Sequence, residues 1–368
     1  MYQQLFIPIE EHSNKSYYIY FANNFKEEWI DLLKNFRFTK NVIITDDNVF
    51  NYHKDIIQTL ANKLQPSKII VRPAGEEYKH IKYIQEIYEE LIQYEVDRKS
   101  GILAVGGGVI GDFSGFIAST LLRGIAFVQI PTTLLAMVDS SVGGKVAVNV
   151  DIGKNMIGSF YQPKAVLCSL EFLRTLPEKE WICGLAEMVK HALLNKTVYE
   201  NFKNIVLNHP DYKNWSYELW NRLIYESIQV KADVVSKDEK ESGLRSILNL
   251  GHTVAHAIES LTNYKEFSHG EAVSRGLVTA LLLSKKKFQL ADKMIEEVIY
   301  IMRLLKLPLD TANLNASEIA QHLIYDKKNQ KGKIKYIYLK EIGNPVYDLE
   351  LDIHDFLDAW RLQKELFG

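Results

Sequence analysis

The stretch GILAVGGGVIGDF, residues 101–113, is the clearest indication of the fold in this sequence. Its first five residues predict a buried strand, and Phe113 to Leu122 predicts a helix that follows the glycines. A glycine-rich turn between a strand and a helix lets backbone amides approach an anion at the helix amino terminus. The spacing satisfies the dinucleotide-binding pattern, although the acidic ribose ligand expected about 20 residues later is missing. The stretch therefore predicts a phosphate cradle on a later strand of the sheet, with a ligand-free glycine turn as the alternative.

Strands and helices alternate through the first half of the chain. Strands are predicted for residues 41–45, 68–71, 101–105 and 126–130, and a helix for Ile81 to Tyr94, where apolar residues recur at helical spacing. This alternation is typical of a parallel sheet with helices on its faces. We therefore predict a Rossmann-like α/β dinucleotide-binding domain over residues 1–178.

The second half has a different pattern. Apolar residues recur at intervals of three and four from Trp181 onward, and again in 271–285 and 294–305. This spacing predicts a mainly α-helical domain over residues 179–368, with a short hairpin near Ile334 to Leu339.

The composition excludes several classes of protein. Of 368 residues, 47% are hydrophobic and 24% are charged, which is the balance of a globular chain and not of a disordered one. The 44 basic and 46 acidic residues nearly cancel, so no field of one sign attracts nucleic acid or an anionic membrane. Two cysteines are too few for a disulfide framework, and neither a secretory signal nor a membrane-spanning run is visible. We therefore expect a cytoplasmic protein without a nucleic-acid or membrane partner.

A second glycine-containing region follows the first. Its sequence is DSSVGGK at residues 139–145 and GKN at residues 153–155, with Lys145 and Lys154 nine positions apart. Exposed amides, hydroxyls and ammonium groups together stabilise a phosphate or carboxylate. The alternative is a solvated loop with unpaired lysines. Two such regions close together in the sequence favour a ligand.

The histidines of the second half indicate a metal site. His252 and His256 lie four residues apart on one predicted helical face, and His269 follows within 17 residues of His252. Two helical histidines with a third protein ligand are typical of a catalytic zinc site. Thr253 stands where the metalloprotease helix motif has glutamate, so that enzyme class is not favoured. Histidines with a purely structural role are the alternative.

Glu187 and Lys190 lie three residues apart on the helix predicted from Trp181 onward. They point away from its apolar stripe and lie beside the small residues Cys183, Gly184 and Ala186. A surface ion pair of about 0.2–0.5 kcal/mol is one interpretation. The other is a wall of the site, because small residues let another element approach closely.

Five motifs, taken in order, resemble the 3-dehydroquinate synthase family of sugar-phosphate cyclases. They are GGGVIGDFSGF (106–116), RGIAFVQIPTTLLAMVDSSVGGK (123–145), GKNMIG (153–158), LAEMVK (185–190) and LRSILNLGHTVAHAIE (244–259). The similarity extends from about residue 75 to residue 328.

The resemblance implies a lyase of the shikimate pathway, which supplies aromatic amino acids. Enzymes of this family use NAD and a divalent metal, usually zinc, to convert 3-deoxy-D-arabino-heptulosonate 7-phosphate into 3-dehydroquinate and phosphate. The implied steps are oxidation of a ring hydroxyl, elimination of phosphate, reduction by the same cofactor, ring opening and intramolecular aldol closure. Oxidation to a ketone acidifies the neighbouring C–H, which makes the elimination accessible.

The resemblance also implies a metal and substrate site. Glu187, His252 and His269 would be the metal ligands, in place of the pair His252 and His256 that spacing alone favours, and His256 would be an acid/base or orienting neighbour. The substrate carboxylate would bind Lys231 and Arg245, and the phosphate would bind Lys145, Asn155 and Asn249. The remaining substrate contacts would be Asp139, Lys190 and Lys328 or its neighbour Lys327. Arg123 would enter the site of the partner subunit, which implies a homodimer.

The cofactor site implied by the resemblance lies in the first half. Asp46, with Asn48, would be near the adenosine, and the glycine turn would contact the pyrophosphate. The implied cofactor residues are Asp46, Gly75, Glu76, Glu77, Tyr78, Lys79, Gly108, Val109, Ile110, Gly111, Asp112, Thr132, Thr133, Lys145, Lys154, Phe172, Leu173, Arg174 and Thr175.

Three positions depart from the family pattern. His191 stands where the family commonly has tyrosine, Leu250 replaces an aromatic residue, and Arg275 interrupts an apolar helix. A sister sugar-phosphate cyclase and a metal-dependent alcohol dehydrogenase of related architecture are the alternative enzymes, and only the dehydrogenase would accumulate NADH. A non-catalytic binding protein is the third hypothesis; it predicts the loss of site residues, whereas each implied metal ligand is present.

Overall fold

The computed structural model describes residues 15–327 and 334–368. The strands of the first half are Tyr18–Ala22 (β1), Asn41–Asp46 (β2), Ser67–Arg72 (β3), Gly101–Gly106 (β4), Ala126–Pro131 (β5), Lys145–Val150 (β6), Gly153–Phe160 (β7) and Ala165–Ser169 (β8). Six of them form one parallel sheet in the order β1-β8-β5-β4-β2-β3. The four predicted strands are confirmed as β2 to β5. The short strands β1 and β8 were not predicted.

The helices of the first half cover both faces of the sheet. They are Glu27–Asn35 (α1), Asp47–Tyr52 (α2), Lys54–Lys63 (α3), Ile84–Gln93 (α4) and Gly108–Thr120 (α5). Apolar side chains of α1 and α3 join the larger hydrophobic core, and those of α4 and α5 join a second core on the opposite face. The predicted Rossmann-like arrangement is therefore confirmed.

Helix α5 begins at Gly108, five residues before the predicted start. Glycine has low helix propensity, which is why the prediction placed the glycines in a turn. Packing outweighs that preference here: a Cβ atom on Gly115 would lie 2.4 Å from Cγ1 of Val146 in β6. The glycines thus let α5 lie against the hairpin formed by β6 and β7.

The region predicted as a second ligand-binding loop is an antiparallel hairpin. Strands β6 and β7 pair with each other from Lys145 opposite Phe160 to Val150 opposite Gly153. The inner strand β6 packs on α5, whereas much of β7 is exposed. Lys145 and Asn155 therefore lie on a two-stranded arm beside the main sheet.

The second half is mainly helical, as predicted, and its hairpin is longer than expected. Its helices are Glu178–Leu194 (α6), Lys196–Asn208 (α7), Tyr217–Lys237 (α8), His252–Leu261 (α9), His269–Phe288 (α10), Asp292–Leu304 (α11), Ala316–Lys327 (α12) and Ile353–Phe367 (α13). The hairpin strands are Lys335–Glu341 (β9) and Asn344–Glu350 (β10). The sheet ends at Ser169 and α6 begins at Glu178; the domain boundary at residue 178 stays a prediction.

Small residues bring the helices that carry the site together. A Cβ atom on Gly270 would lie 2.3 Å from Cα of Cys183, and one on Gly276 would lie 2.1 Å from the carbonyl oxygen of Gly251. Gly251 itself has φ +78°, a left-handed conformation that favours glycine. The close approach expected beside Glu187 is thus confirmed, since α10 touches both α6 and α9. Among the described residues, no helix combines the length and the apolar character that crossing a bilayer requires.

Candidate active site

All but two of the cofactor residues implied by the resemblance gather at one edge of the sheet; Lys145 and Lys154 lie on the hairpin. They follow the carboxyl ends of five strands: Asp46 at the end of β2, Gly75 to Lys79 after β3, Gly108 to Asp112 after β4, Thr132 and Thr133 after β5, and Phe172 to Thr175 after β8. Strands β4 and β2 are neighbours in the sheet. After β2 the chain continues to β3 on one side of this pair, whereas after β4 it continues to β5 on the other side. A crevice at such a point is the usual ligand site of an open α/β sheet.

The amino terminus of α5 is open to an anion. Gly107 precedes the helix, and within the described part of the chain no side chain caps its first turn. The N–H groups of that turn carry the positive end of the helix dipole. Gly108 also lies against the second glycine region, because a Cβ atom there would come within 3.1 Å of Oγ of Ser140. The two glycine regions therefore meet at the end of β4.

A buried ion pair joins two of the cofactor segments. Nζ of Lys79 lies 2.5 Å from Oδ2 of Asp112, and Lys79 is only 4% exposed. Asn149 on β6 extends this connection: its N–H donates to the carbonyl of Lys79 at 2.7 Å, and its side-chain amide donates to Oε1 of Glu76 at 2.8 Å. Its side-chain oxygen accepts from the N–H of Asn155 at 2.8 Å. Asn149 was not predicted, and it ties the cofactor edge to the hairpin.

Three side chains from three helices form a group of metal donors. Glu187 of α6, His252 of α9 and His269 of α10 each offer one ligand atom, and these atoms lie within 4.8 Å of one another. Oε1 of Glu187 lies 3.3 Å from Nε2 of His252 and 3.4 Å from Nε2 of His269. Two imidazoles and one carboxylate are a ligand set of catalytic zinc sites.

Hydrogen bonds orient both imidazoles toward Glu187. Nδ1 of His252 lies 3.2 Å from the carbonyl oxygen of Leu250, and Nδ1 of His269 lies 3.2 Å from Oε1 of Glu259. With a proton on each Nδ1, both Nε2 atoms are left as ligands. Glu187 is fully buried, and neither of its oxygens accepts a hydrogen bond of normal geometry from the described residues. The residues therefore fit a divalent cation.

His256 lies beside this group and not within it. Its ring centre is 5.6 Å from that of His252, whereas the residues whose ligand atoms come together with His252 are Glu187 and His269. His256 is exposed on α9. The helical spacing of four residues favoured the wrong partner for His252, because the true neighbours arrive on other helices.

Glu187 and Lys190 form a buried ion pair, so the interpretation as a surface pair is wrong. Lys190 is 2% exposed, and its Nζ contacts Oε2 of Glu187 and lies 3.6 Å from Oδ1 of Asp139. Burial alone would lower the pKa of Lys190, but the carboxylates of Glu187 and Asp139 outweigh it and raise that pKa. Lys190 is therefore a charged bridge between the metal donors and Asp139.

Asp139 receives a second cation from α8. Lys231 donates to its backbone carbonyl at 2.7 Å, and Nζ of Lys231 lies 2.8 Å from Oδ1 of Asp139. Burial would raise the pKa of Asp139, yet Lys231 and Lys190 hold it well below its ordinary value. Burial lowers the pKa of Lys231 in spite of this carboxylate. The Asp139 side chain is thus an anion between two lysines.

Other predicted substrate residues meet around an acidic residue that was not predicted. Glu241 contacts Nζ of Lys145 and accepts from the side-chain amide of Asn249 at 2.9 Å. Arg245 is buried and donates through both terminal nitrogens to the carbonyl of Gly143 at 3.1 Å. Its guanidinium therefore holds the turn before β6.

The remaining predicted residues are spread more widely. Lys154 lies over the ring of Tyr264, 4.2 Å from its centre, and Asn155 is exposed with φ +55°. Arg123 is exposed beyond the far end of α5, and the 13 residues of that helix separate it from the crevice by about 20 Å. Lys327 ends α12, and Lys328 lies outside the described residues.

Sequence reasoning missed Asn149, Glu241 and Glu259. A signal was present for Glu259, since it follows His252 by seven residues and so lies on the same face of α9. No comparable spacing marks Glu241, which lies in an irregular segment after α8.

Comparisons with known proteins agree with this arrangement. Residues 69–183 match the family model described as 3-dehydroquinate synthase N-terminal, and residues 184–329 match the one described as 3-dehydroquinate synthase C-terminal. A curated 3-dehydroquinate synthase from Leptospira interrogans serogroup Icterohaemorrhagiae (serovar copenhageni, strain Fiocruz L1-130) is 50% identical over 332 residues, which are 89% of this chain and 89% of that protein.

Solved structures share the fold. One is 2-epi-5-epi-valiolone synthase from Streptomyces hygroscopicus subsp. jinggangensis 5008 with NAD+ and Zn2+ bound, with a TM-score of 0.85, 23% identity, and coverage of 98% of this chain and 99% of that one. Another is 2-deoxy-scyllo-inosose synthase complexed with carbaglucose-6-phosphate, NAD+ and Co2+, with a TM-score of 0.79, 25% identity, and coverage of 94% and 96%. The family models span well over half of the sequence, and the chain belongs to the 3-dehydroquinate synthase family.

Proposed function

We propose that the crevice and the adjoining helices catalyse the family reaction, with Glu187, His252 and His269 as the metal ligands. The reaction converts 3-deoxy-D-arabino-heptulosonate 7-phosphate into 3-dehydroquinate and phosphate through oxidation, phosphate elimination, reduction and aldol closure. The observation that carries the proposal is the meeting of one carboxylate and two Nε2 atoms within 4.8 Å. NAD and a divalent metal such as zinc or cobalt are the cofactors.

The metal, when bound, supplies Lewis-acid polarisation of a substrate oxygen. The chain's own residues prepare that position. Glu259 and the carbonyl of Leu250 contact the Nδ1 atoms of His269 and His252, which leaves both Nε2 atoms directed toward Glu187. Lys190 contacts the other carboxylate oxygen of Glu187. Glu187 keeps its negative charge in this surrounding, so its carboxylate is ready for a dication, and His269 becomes a ligand once its Nε2 loses its proton.

Support for the cofactor site comes from the carboxyl edge of the sheet. The uncapped first turn of α5 presents backbone N–H groups, which suits a pyrophosphate. Thr132 adds a buried hydroxyl that has no hydrogen-bond partner among the described residues. The related 2-deoxy-scyllo-inosose synthase was solved with NAD+ and Co2+, which supports the same cofactor pair here.

Charge complementarity supports a sugar phosphate as the substrate. Lys145 and Asn249 already share one anionic partner, the carboxylate of Glu241. We assign the substrate phosphate to this pair together with Asn155, so that a phosphate would compete with Glu241 for them. Lys231, with Arg245 behind it, would receive the substrate carboxylate, and Asp139 with Lys190 would face the ring hydroxyls.

A homodimer completes the proposal. Arg123 lies about 20 Å from its own crevice, so it can act on a substrate only in a neighbouring subunit. Its neighbour Leu122 is 37% exposed, and Ile152 and Met156 on the hairpin are 91% and 65% exposed. We expect the dimer to cover these side chains. We place the enzyme in the cytoplasm, without a nucleic-acid or membrane partner.

A phosphate-release assay tests the function. The purified protein is mixed with the heptulosonate phosphate, zinc and a small amount of NAD. Phosphate release over many turnovers per NAD, without lasting absorbance of NADH, supports the proposal. Accumulating NADH would instead indicate an alcohol dehydrogenase, and no phosphate release would remove the proposal.

A further inference from the structure

A buried histidine lies beside the proposed substrate site without a role in it. His191 of α6 is 0% exposed. Its Nδ1 atom lies 2.7 Å from Oγ of Ser227 on α8, and its Nε2 atom lies 3.4 Å from Oδ1 of Asp139. Ser227 is buried as well, at 2% exposure. The imidazole therefore connects α6 and α8 with the segment that carries Asp139.

The two neighbours of this imidazole determine which of its nitrogens carries the proton. A carboxylate can only accept a hydrogen bond, whereas a serine hydroxyl can donate or accept. Burial lowers the pKa of His191 to about 4, and Lys190 acts in the same direction, so the ring is neutral with one N–H. The N–H is therefore assigned to Nε2, which faces Oδ1 of Asp139 at 3.4 Å without the geometry of a full hydrogen bond, and the hydroxyl of Ser227 donates to Nδ1. The opposite tautomer would point a lone pair at the partly buried carboxylate of Asp139.

The charged and polar contacts of the Asp139 carboxylate come from side chains of two other elements, α6 and α8. Asp139 lies in a π-helical turn over Ala136–Ser140, a short irregular segment of a kind frequent at functional sites. Lys231 and Lys190 approach Oδ1 of Asp139 at 2.8 and 3.6 Å, on flexible side chains. The imidazole is a rigid ring held by a second buried side chain, whereas each lysine brings a point charge on a flexible stem, so the imidazole adds a directional contact that the lysines do not.

We propose that His191 and Ser227 are positioning residues: Ser227 holds the imidazole, and the imidazole holds the Asp139 carboxylate in the orientation that the substrate requires. The inference rests on the proposed place of Asp139 in the substrate site. Neither residue touches the substrate in this account. Their effect passes through Asp139 alone, which makes it separable from metal and cofactor binding.

Two substitutions at His191 separate its contact with Ser227 from its contact with Asp139. In His191→Asn the amide stays near the Nδ1 position, within reach of Ser227, but is too short for Asp139. In His191→Gln the amide extends to the Nε2 position. We expect H191N to lower kcat by about ten-fold, the lower end of the loss typical of a polar contact with a charged group, and H191Q to recover part of it. Zinc content and the NAD dissociation constant should equal those of wild type. H354N, at an exposed histidine on α13, is the matched control and should change nothing.

A double-mutant cycle with Asp139→Asn tests whether His191 acts through Asp139. If the histidine acts through Asp139, adding H191N to D139N lowers kcat by less than two-fold further. If H191N lowers the kcat of D139N as much as it lowers the kcat of wild type, the inference is overturned, although Asp139 stays in the site. D139N with wild-type kcat and KM would instead remove Asp139 from the site and contradict that part of the proposed function. Thermal unfolding checks that each variant is folded; if H191N is not, Ser227→Ala with and without D139N completes the same cycle.

Discussion

The Nδ1 atom of His269 lies 3.2 Å from Oε1 of Glu259. Glu259 comes from α9, the helix that carries His252, whereas His269 begins α10. The contact therefore joins two helices and leaves Nε2 of His269 facing Glu187 at 3.4 Å. A carboxylate behind a metal-binding histidine fixes its tautomer and makes it a stronger ligand.

Replacing Glu259 by glutamine should weaken metal binding without removing it. The amide carries no charge and holds the imidazole less firmly, so we expect zinc affinity to fall by about 10- to 100-fold. Competition with a chromophoric chelator measures this directly. Glu296→Gln, at an exposed position of α11, is the matched control. Unchanged zinc affinity in E259Q would show that the contact does not support the metal site.

Metal binding should release a proton from His269. Burial alone would lower the pKa of this imidazole, but its contacts with the carboxylates of Glu187 and Glu259 outweigh burial and raise the pKa to about 10. The ring is therefore charged without metal at neutral pH, whereas a metal requires it neutral. Apparent affinity should rise with pH up to about pH 10.

Calorimetry measures that proton. Zinc titrated at pH 7.5 into the metal-free protein, in buffers of different ionisation enthalpy, should report about one proton released from this histidine per metal. His269→Ala should lose most of the metal affinity along with the proton. Binding that is independent of pH between 6 and 9, values chosen to lie below the raised pKa, would contradict the assignment.

Lys145→Ala should damage substrate use and leave NAD binding largely intact. Lys145 shares the carboxylate of Glu241 with Asn249, where we place the substrate phosphate. Loss of a charge-assisted contact should raise KM or lower kcat by about ten-fold or more. Lys34→Ala, at an exposed position on α1, serves as the control. If only the NAD dissociation constant changed, the division of the two glycine regions between cofactor and substrate would be wrong.

The sequence predicted the elements whose patterns are local. The strands β2 to β5 have continuous apolar runs, and the turn at the end of β4 is marked by its glycines. The start of α5 was misplaced because packing against Val146, distant in sequence, allows glycines inside the helix. Strands β1 and β8 are only five residues long, too short for periodicity to separate them from other apolar runs.

The site shows the same limit. Spacing along one helix paired His252 with His256, whereas the donors that meet His252 come from α6 and α10. Only the resemblance to a family identified Glu187 and His269, because no local pattern reports which helices pack together. Glu241 and Ser227 contact site residues that are distant in the sequence. No pattern in the residues next to them predicts these contacts.

Mixed dimers test the proposed role of Arg123. Arg123→Ala and His269→Ala should each be nearly inactive alone, and co-expression should restore activity to about a quarter of wild type. Half of randomly formed dimers are mixed, and each has one site with both residues intact. No restoration, with dimers present by light scattering, would mean that Arg123 does not enter the partner's site.

The position of the metal is the most direct test of the central assignment. Crystals of the zinc-loaded protein, measured above and below the zinc absorption edge, give an anomalous difference map. We predict one strong peak about 2.0–2.2 Å from a carboxylate oxygen of Glu187 and from Nε2 of both His252 and His269. A peak held by His256 in place of His269, or a zinc ion away from Glu187, would contradict it.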